Sequence, residues 1–238
     1  MGEPFTLMQS NPDRVTSVRT IMADAYTSLR RDILNCTLEP GARVRFEDLK
    51  QAYGLGLSPL REALMRLAAE GLVVLEQHKG FRIAPVSRED LLDIIRMRRD
   101  LDCIGVEQSI ANADDAWEAD LLGALHQLRK LPKPIGVEGD DAAWERWEDR
   151  HRHFHAALLA RCQSAWLFRF RDALYDQLAR YKTLSDHYLG AQRDDLAEHE
   201  AIAKAALARD VASAKALLCD HIDRTAAALM AASNPKIP

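Results

Sequence analysis

The chain has 238 residues, 47% of them apolar, enough to bury a core and to form two small domains or one large one. Its 32 Lys and Arg against 36 Asp and Glu leave a net charge of −4, so a uniformly basic nucleic-acid binder is excluded. No stretch approaches eighteen uninterrupted apolar residues and the acidic, polar start lacks a basic leader, so neither a membrane span nor a signal peptide is expected and the protein reads as cytoplasmic.

Residues 1–17 read as a flexible start and 18–86 as a first domain. Met22, Ala25, Tyr26, Leu29 and Ile33 recur at helical spacing and mark a first helix, closed by the turn Glu39-Pro-Gly-Ala42. Phe46, Leu49 and Tyr53 space out a short helix that Gly54 ends. The next run opens with Ser58 as N-cap, Pro59 at the first helical position and Glu62 in the first turn. Leu60, Ala63, Leu64, Leu67 and Ala68 form its apolar stripe, Arg61, Met65 and Arg66 fall outside that stripe, and Gly71 stops it. Leu72 to Glu76 and Phe81 to Pro85 then read as two strands around Gln77-His-Lys-Gly80, a hairpin with Lys79 at its tip and Arg82 just after.

Helix, tight turn, helix and hairpin is the layout of a winged helix-turn-helix that reads DNA, with Arg61 near base edges and Lys79 or Arg82 near phosphates or the minor groove. On periodicity alone a plain helical hairpin with a solvated charged face competes with it. Charge is unevenly divided: residues 18–86 hold ten Lys and Arg against eight Asp and Glu, and those from 87 onward hold twenty-one against twenty-six. A mildly basic module beside an acidic one suits a DNA binder whose second domain does other work.

Residues 87–232 read as that second domain, almost wholly helical, with 233–238 a flexible tail. Helices are expected over 88–111, 116–130, 141–161, 165–187, 192–208 and 211–231, broken at Asn112-Ala-Asp-Asp115, 131–139, Arg161-Cys-Gln-Ser164, Leu189-Gly190 and Arg209-Asp210. The fold class is therefore mainly α, a winged helix-turn-helix followed by an all-α six-helix bundle. Cys36, Cys103, Cys162 and Cys219 show no paired spacing and read as buried reduced thiols.

Histidines supply the strongest chemical signal. The stripe Trp144, Trp147, His151, Phe154, His155, Leu158, Cys162 carries two at i, i+4, close enough to converge on one ion. His199 joins the stripe Leu196, Ile202, Ala203, Ala206, and His221 the stripe Leu217, Leu218, Thr225, Leu229. Four inward histidines on three helices point to a divalent transition metal, zinc first and nickel second, against the alternative of four separately satisfied core histidines. His153 points away, and His78, His126 and His187 form no constellation. Arg98 and Asp102, also i, i+4, lie on or beside the inward stripe Leu91, Ile94, Ile95, Leu101, Gly105, as a structural ion pair or an arginine facing a pocket. Arg171 and Tyr175 lie close to the stripe Leu167, Leu174, Leu178, where they would offer a guanidinium fork and a phenol to a carboxylate.

The strings Leu38-Glu-Pro-Gly41, Pro59-Leu-Arg-Glu-Ala-Leu-Met-Arg-Leu67, Glu70-Gly-Leu-Val73 and Gly80-Phe-Arg-Ile-Ala-Pro85 resemble the winged helix-turn-helix of the GntR family of bacterial transcription factors. The family's usual Ser-Arg before the proline is replaced by Gly56-Leu57-Ser58, so Arg61 should carry more of the contact, with Arg43, Arg45 and Arg66 as possible substitutes. The second domain resembles the effector-binding FCD domain of the FadR subgroup in its six-helix, VanR-like form. Its D-x-x-F-H appears as His151-Arg-His-Phe-His155, with histidine in place of aspartate, and Arg98-Arg-Asp-Leu-Asp102 resembles R-x-x-L-E.

That resemblance implies a homodimeric, ligand-controlled regulator on operator DNA, more commonly a repressor relieved by its effector. A small carboxylic acid would coordinate the metal and meet Arg98. The stretches Leu55-Gly-Leu-Ser-Pro-Leu-Arg-Glu-Ala-Leu64, Arg150-His-Arg-His-Phe-His155 and Ala208-Arg-Asp210 resemble glutarate-responsive repressors, which makes a dicarboxylate such as glutarate a candidate effector. The competing reading is a metal-dependent hydrolase or oxygenase in a helical bundle. The missing Glu of H-E-x-x-H and the lack of a positioned base speak against it. A third reading is a metal that only stabilises the fold.

Overall fold

The computed structural model describes residues 12–134, 141–185 and 194–232, with side chains from Met22 onward in the first helix. His187, the break at Leu189-Gly190 and the expected tail lie outside the described residues, as does much of the expected flexible start and of the break at 131–139. The chain divides into two compact units, Met1–Pro85 and Val86–Pro238.

In the first unit α1 (Pro12–Leu34), α2 (Phe46–Tyr53) and α3 (Leu57–Ala69) precede an antiparallel hairpin of β1 (Val73–Glu76) and β2 (Gly80–Ile83). The expected stripes meet in one core: Ala25, Leu29 and Ile33 of α1, Leu49 of α2, and Leu60, Ala63, Leu64 and Leu67 of α3 pack with Leu72, Val73, Phe81 and Ile83 of the hairpin. Gly54 ends α2 in the left-handed conformation, φ 65°, with its N–H on Lys50 O, a turn that a side chain would strain. Two tyrosines fasten α1. Tyr26 donates to Glu70 at 2.6 Å, and Tyr53 of α2 donates to Asp32 at 2.5 Å.

Two details correct the expectations. Ser58 is not the N-cap of α3; the helix starts at Leu57 with Gly56 as cap and no side-chain cap bond, which puts Pro59 in the first turn but not at its first position. The wing also has a third edge, unread in the sequence: Val44 N–H donates to Phe81 O at 2.9 Å and Ile83 N–H to Ala42 O at 2.9 Å, so the segment after the Pro40-Gly41 turn runs beside β2.

The second unit holds, among the described residues, α4 (Arg88–Ala111), α5 (Asp115–Arg129), α6 (Asp141–Leu158), α7 (Ala165–Leu184), α8 (Asp195–Leu207) and α9 (Val211–Ala231). Helix starts follow from capping: Ser87, Asp114, Ser164, Asp194 and Asp210 each accept a hydrogen bond from the backbone N–H three residues on. α4 packs on α7 and α9, α5 on α6 and α8, and α8 on α9. Trp117, fully buried, donates its Nε1–H to Ala157 O at 3.0 Å and ties α5 to α6. Gly105 of α4 lets Leu159 approach so closely that an added Cβ would stand 2.6 Å from its Cδ2. α6 ends at Leu158, short of the expected 161, because the chain tightens there into bonds from Leu159 to Ala156 and from Ala160 to Ala157.

Candidate metal centre and its charged surround

α6, α8 and α9 bring His151, His155, His199 and His221 into one buried cluster whose ligating atoms all lie within 4.8 Å of one another. The Nε2 of His155 stands 3.2 Å from that of His151 and 3.3 Å from that of His199. The neighbouring groups decide which nitrogen carries the lone pair. Asp195 O accepts from His199 Nδ1, and the Glu198 carboxylate accepts from His221 Nδ1 at 2.9 Å. Tyr175 spends its O–H on Glu148 at 2.8 Å, so its oxygen accepts from His151 Nδ1 at 3.0 Å. Each of these three rings therefore has its other nitrogen free of a proton, as in metal sites where a carboxylate or carbonyl orients each imidazole. Nδ1 of His155 is buried with no hydrogen-bond partner among the described residues.

Burial, then the charge of Lys182 and the other imidazoles, holds His151 well below the ordinary histidine range. Burial and the three neighbouring rings do the same to His155. Both are neutral at pH 7, the form that binds a metal. Four imidazole donors, three with one ring nitrogen held from outside, fit a transition-metal cation. An all-histidine set carries no carboxylate charge among the donors themselves. Negative charge is present one step out, on Glu198 and Glu148.

Arg98, Asp102, Arg171 and Tyr175 are all buried, at 2%, 0%, 1% and 1% exposure, so the structure brings together the four residues expected beside the metal. Asp102 is held by Arg171 Nε at 2.7 Å and faces Arg98 Nε at 3.4 Å. The Arg98 guanidinium lies 4.7 Å from the centre of the Tyr175 ring. Leu174, placed on the inward stripe from sequence, is only half-buried, and Arg171 and Tyr175 take the inward position.

Two members went unread. Lys182, 2% exposed, bonds Glu148 at 2.5 Å, and its Nζ lies 4.9 Å from the Tyr175 ring. Burial lowers its ammonium to about 8 against the pull of Glu148, so it stays charged at pH 7. Burial and Glu148 push the Tyr175 phenol far up, which keeps its proton in place. The signals were positional: Lys182 lies seven residues after Tyr175 and Glu148 three before His151, each on the same face of its helix.

Around Tyr175 three buried cations, Arg98, Arg171 and Lys182, thus face two carboxylates, Asp102 and Glu148. Arg98 Nε and Arg171 Nη2 remain buried without hydrogen-bond partners among the described residues. Buried N–H groups on charged side chains are costly unpaired, and an anion would satisfy them.

On the first unit, Arg43, Arg45, Ser58, Arg61, Arg66 and Lys79 are exposed. Arg61 stands on the outer face of α3, whereas the Arg66 guanidinium lies 4.0 Å above the Tyr26 ring. Arg82 is committed to the fold, donating to Glu76 at 2.7 Å and to Gly41 O at 2.6 Å, so it pins the wing to the turn before α2. His78, His126 and His153 are exposed.

A model of the gntR family of bacterial regulatory proteins matches residues 22–83, and a model of the FCD domain matches 93–224. The chain is 36% identical over 206 residues to the HTH-type transcriptional repressor GlaR of Escherichia coli K12, covering 84% of this chain and 91% of GlaR. It is 34% identical over 228 residues to the HTH-type transcriptional regulator BphR of Paraburkholderia xenovorans LB400, covering 94% and 91%. Its fold is that of E. coli McbR/YncC, at TM-score 0.68 and 22% identity over 89% of this chain and 97% of that one. These relatives are transcriptional regulators, not enzymes. Among the described residues no helix is long and apolar enough to cross a membrane.

Proposed function

The chain belongs to the gntR family of bacterial transcriptional regulators and carries an FCD domain, and from that premise we propose that a metal ion and a small carboxylate, held together in the FCD domain, control its grip on DNA. The observation that carries this reading is an adjacency: four buried imidazoles converge from three helices, and beside them lie buried guanidiniums, with Arg98 Nε and Arg171 Nη2 making no hydrogen bond among the described residues.

His151, His155, His199 and His221 would hold the ion, zinc or nickel by donor chemistry. Once bound, it would supply positive charge and a Lewis-acidic partner for an anionic oxygen. This chain's own residues do the rest. Arg98 and Arg171 donate to a carboxylate, Asp102 keeps both guanidiniums in place, and Tyr175 links His151 to Glu148 so that the two regions report on each other. Lys182 adds a further cation, which suits a dicarboxylate such as glutarate. The effector changes DNA binding only if it prefers one state of the regulator, and the proposed state is a homodimer on a pseudo-palindromic operator, with repression relieved by the effector. Arg61 reads bases, and Arg43, Arg45, Ser58, Arg66 and Lys79 position the backbone.

A thermal-shift screen of metal-loaded protein against mono- and dicarboxylates tests this, with His155→Ala and Arg98→Ala alongside. A stabilising acid whose effect disappears in both variants supports the reading. Equal responses in all three proteins refute it, and a metal whose removal unfolds the domain without any acid response marks a structural ion instead.

A further inference from the structure

The four cysteines carry free thiols as expected, but the expected burial is wrong for three of them. Only Cys162 is buried, donating to Gln108 Oε1 at 3.2 Å, while Cys36, Cys103 and Cys219 are half-buried. Cys103 on α4 and Cys219 on α9, 116 positions apart, place their sulfurs 2.9 Å from each other. Spacing cannot reveal such a pair, because the packing of α4 on α9 makes it.

Thiols are weak hydrogen-bonding groups, so mutual contact adds little to the fold. Burial, together with the contact with Cys219, pushes the Cys103 thiol up to about 12, so Cys103 keeps its proton, and either thiol can donate across the contact. The Arg99 guanidinium reaches the Cys219 sulfur and is itself anchored on Asp223 at 2.9 Å. A disulfide holds its sulfurs at about 2.05 Å, so bonding asks for roughly 0.9 Å of closure between side chains already facing each other.

We propose that Cys103 and Cys219 form a redox site that a hydroperoxide converts to an intramolecular disulfide, tying α4 to α9. The Cys219 sulfur attacks the peroxide's terminal oxygen. The O–O bond breaks, the remaining alkoxide or hydroxide takes the sulfur's proton and leaves as an alcohol or water, and Cys219 becomes a sulfenic acid. The Cys103 sulfur then attacks the Cys219 sulfur, the S–O bond breaks, and the departing hydroxide takes the Cys103 proton as water. Two electrons pass from the two thiols to the peroxide, and a dithiol reductant reverses the step. The link joins the helices that carry Asp102, next to Cys103, and His221, two residues from Cys219. In a reducing cytoplasm such a bond forms only under oxidant excess, as redox-sensing disulfides do.

The test uses reduced, desalted full-length protein treated with a few equivalents of hydrogen peroxide, then alkylated and mapped without reductant. The expected result is a peptide linked through 103 and 219, loss of two of the four titratable thiols, recovery with dithiothreitol, and a thermal midpoint raised by roughly 10 °C. Cys103→Ser and Cys219→Ser each abolish the linked peptide, and Cys36→Ser and Cys162→Ser keep it. Sulfinic acid at either position without a link, a link between chains, or four intact thiols after glutathione in the same tube has been oxidised would each overturn the proposal, and the wild-type map alone decides among these.

Discussion

His155 on α6 and His199 on α8 bring their Nε2 atoms to 3.3 Å. The His199 nitrogen carries a lone pair, because its Nδ1–H is spent on Asp195 O. His155 Nε2 also lies 3.2 Å from the likewise unprotonated Nε2 of His151, and one proton cannot serve both contacts. A single cation would satisfy all three rings together with His221.

Without metal, pH should act on stability in one direction. His151 and His155 have folded-state values depressed far below the unfolded value near 6.5, so their neutral burial is fully tolerated above that pH. As pH falls below about 6.5 the unfolded chain takes up protons that the folded one refuses, and stability drops toward the depressed values. Two such groups give at most about 2.7 kcal/mol per pH unit. Denaturant melts of stripped protein between pH 7.5 and 5.5 should show this slope, and His151→Phe should reduce it.

Asp102 is the carboxylate paired with two buried guanidiniums, so Asp102→Ala should destabilise the second unit by about 3–5 kcal/mol. Breaking the exposed Arg129–Glu200 pair, itself 2.6 Å long, should cost only about 0.2–1 kcal/mol. Urea midpoints of the two variants check the contrast; equal losses would mean that Asp102 is not the pivot of the cluster.

Arg98→Ala should keep the metal and lose the carboxylate. Metal content by mass spectrometry should match the wild type while the thermal shift with glutarate or a related diacid shrinks at least tenfold in ligand sensitivity, the factor equivalent to about 1.4 kcal/mol of binding.

On the DNA side the two candidate arginines should part company. Arg61→Ala should weaken binding to a selected operator by about 1–3 kcal/mol and relax preference at one base position. Arg82→Ala, which releases Glu76 and Gly41 O, should lower the melting temperature of the first unit and affect DNA only through the wing. Competition assays on operator variants separate a lost base contact from a loosened fold.

Much of this was legible because it repeats along one chain segment. Helical stripes located α3 and α6, the breaks at Asn112–Asp115 and Arg209-Asp210 located the starts of α5 and α9, and phase alone turned four histidines inward. What escaped depends on packing between distant segments. Lys182 reads as a solvated lysine until Glu148 is brought to it from α6, Cys103 and Cys219 meet only because α4 lies on α9, and Arg82 reads as a wing arginine until Gly41 O is found beneath it. Ser58 failed as a cap for a local reason: Gly56 already supplied the extended residue that starts the helix.

The central claim is that the four histidines hold one cation, and metal stoichiometry tests it most directly. Wild-type protein loaded with zinc or nickel and dialysed should retain about one ion per chain, and His155→Ala and His199→Ala should each retain almost none while keeping their helical circular dichroism. Wild-type protein that retains no ion, or a His155→Ala variant that retains the full equivalent, would contradict it.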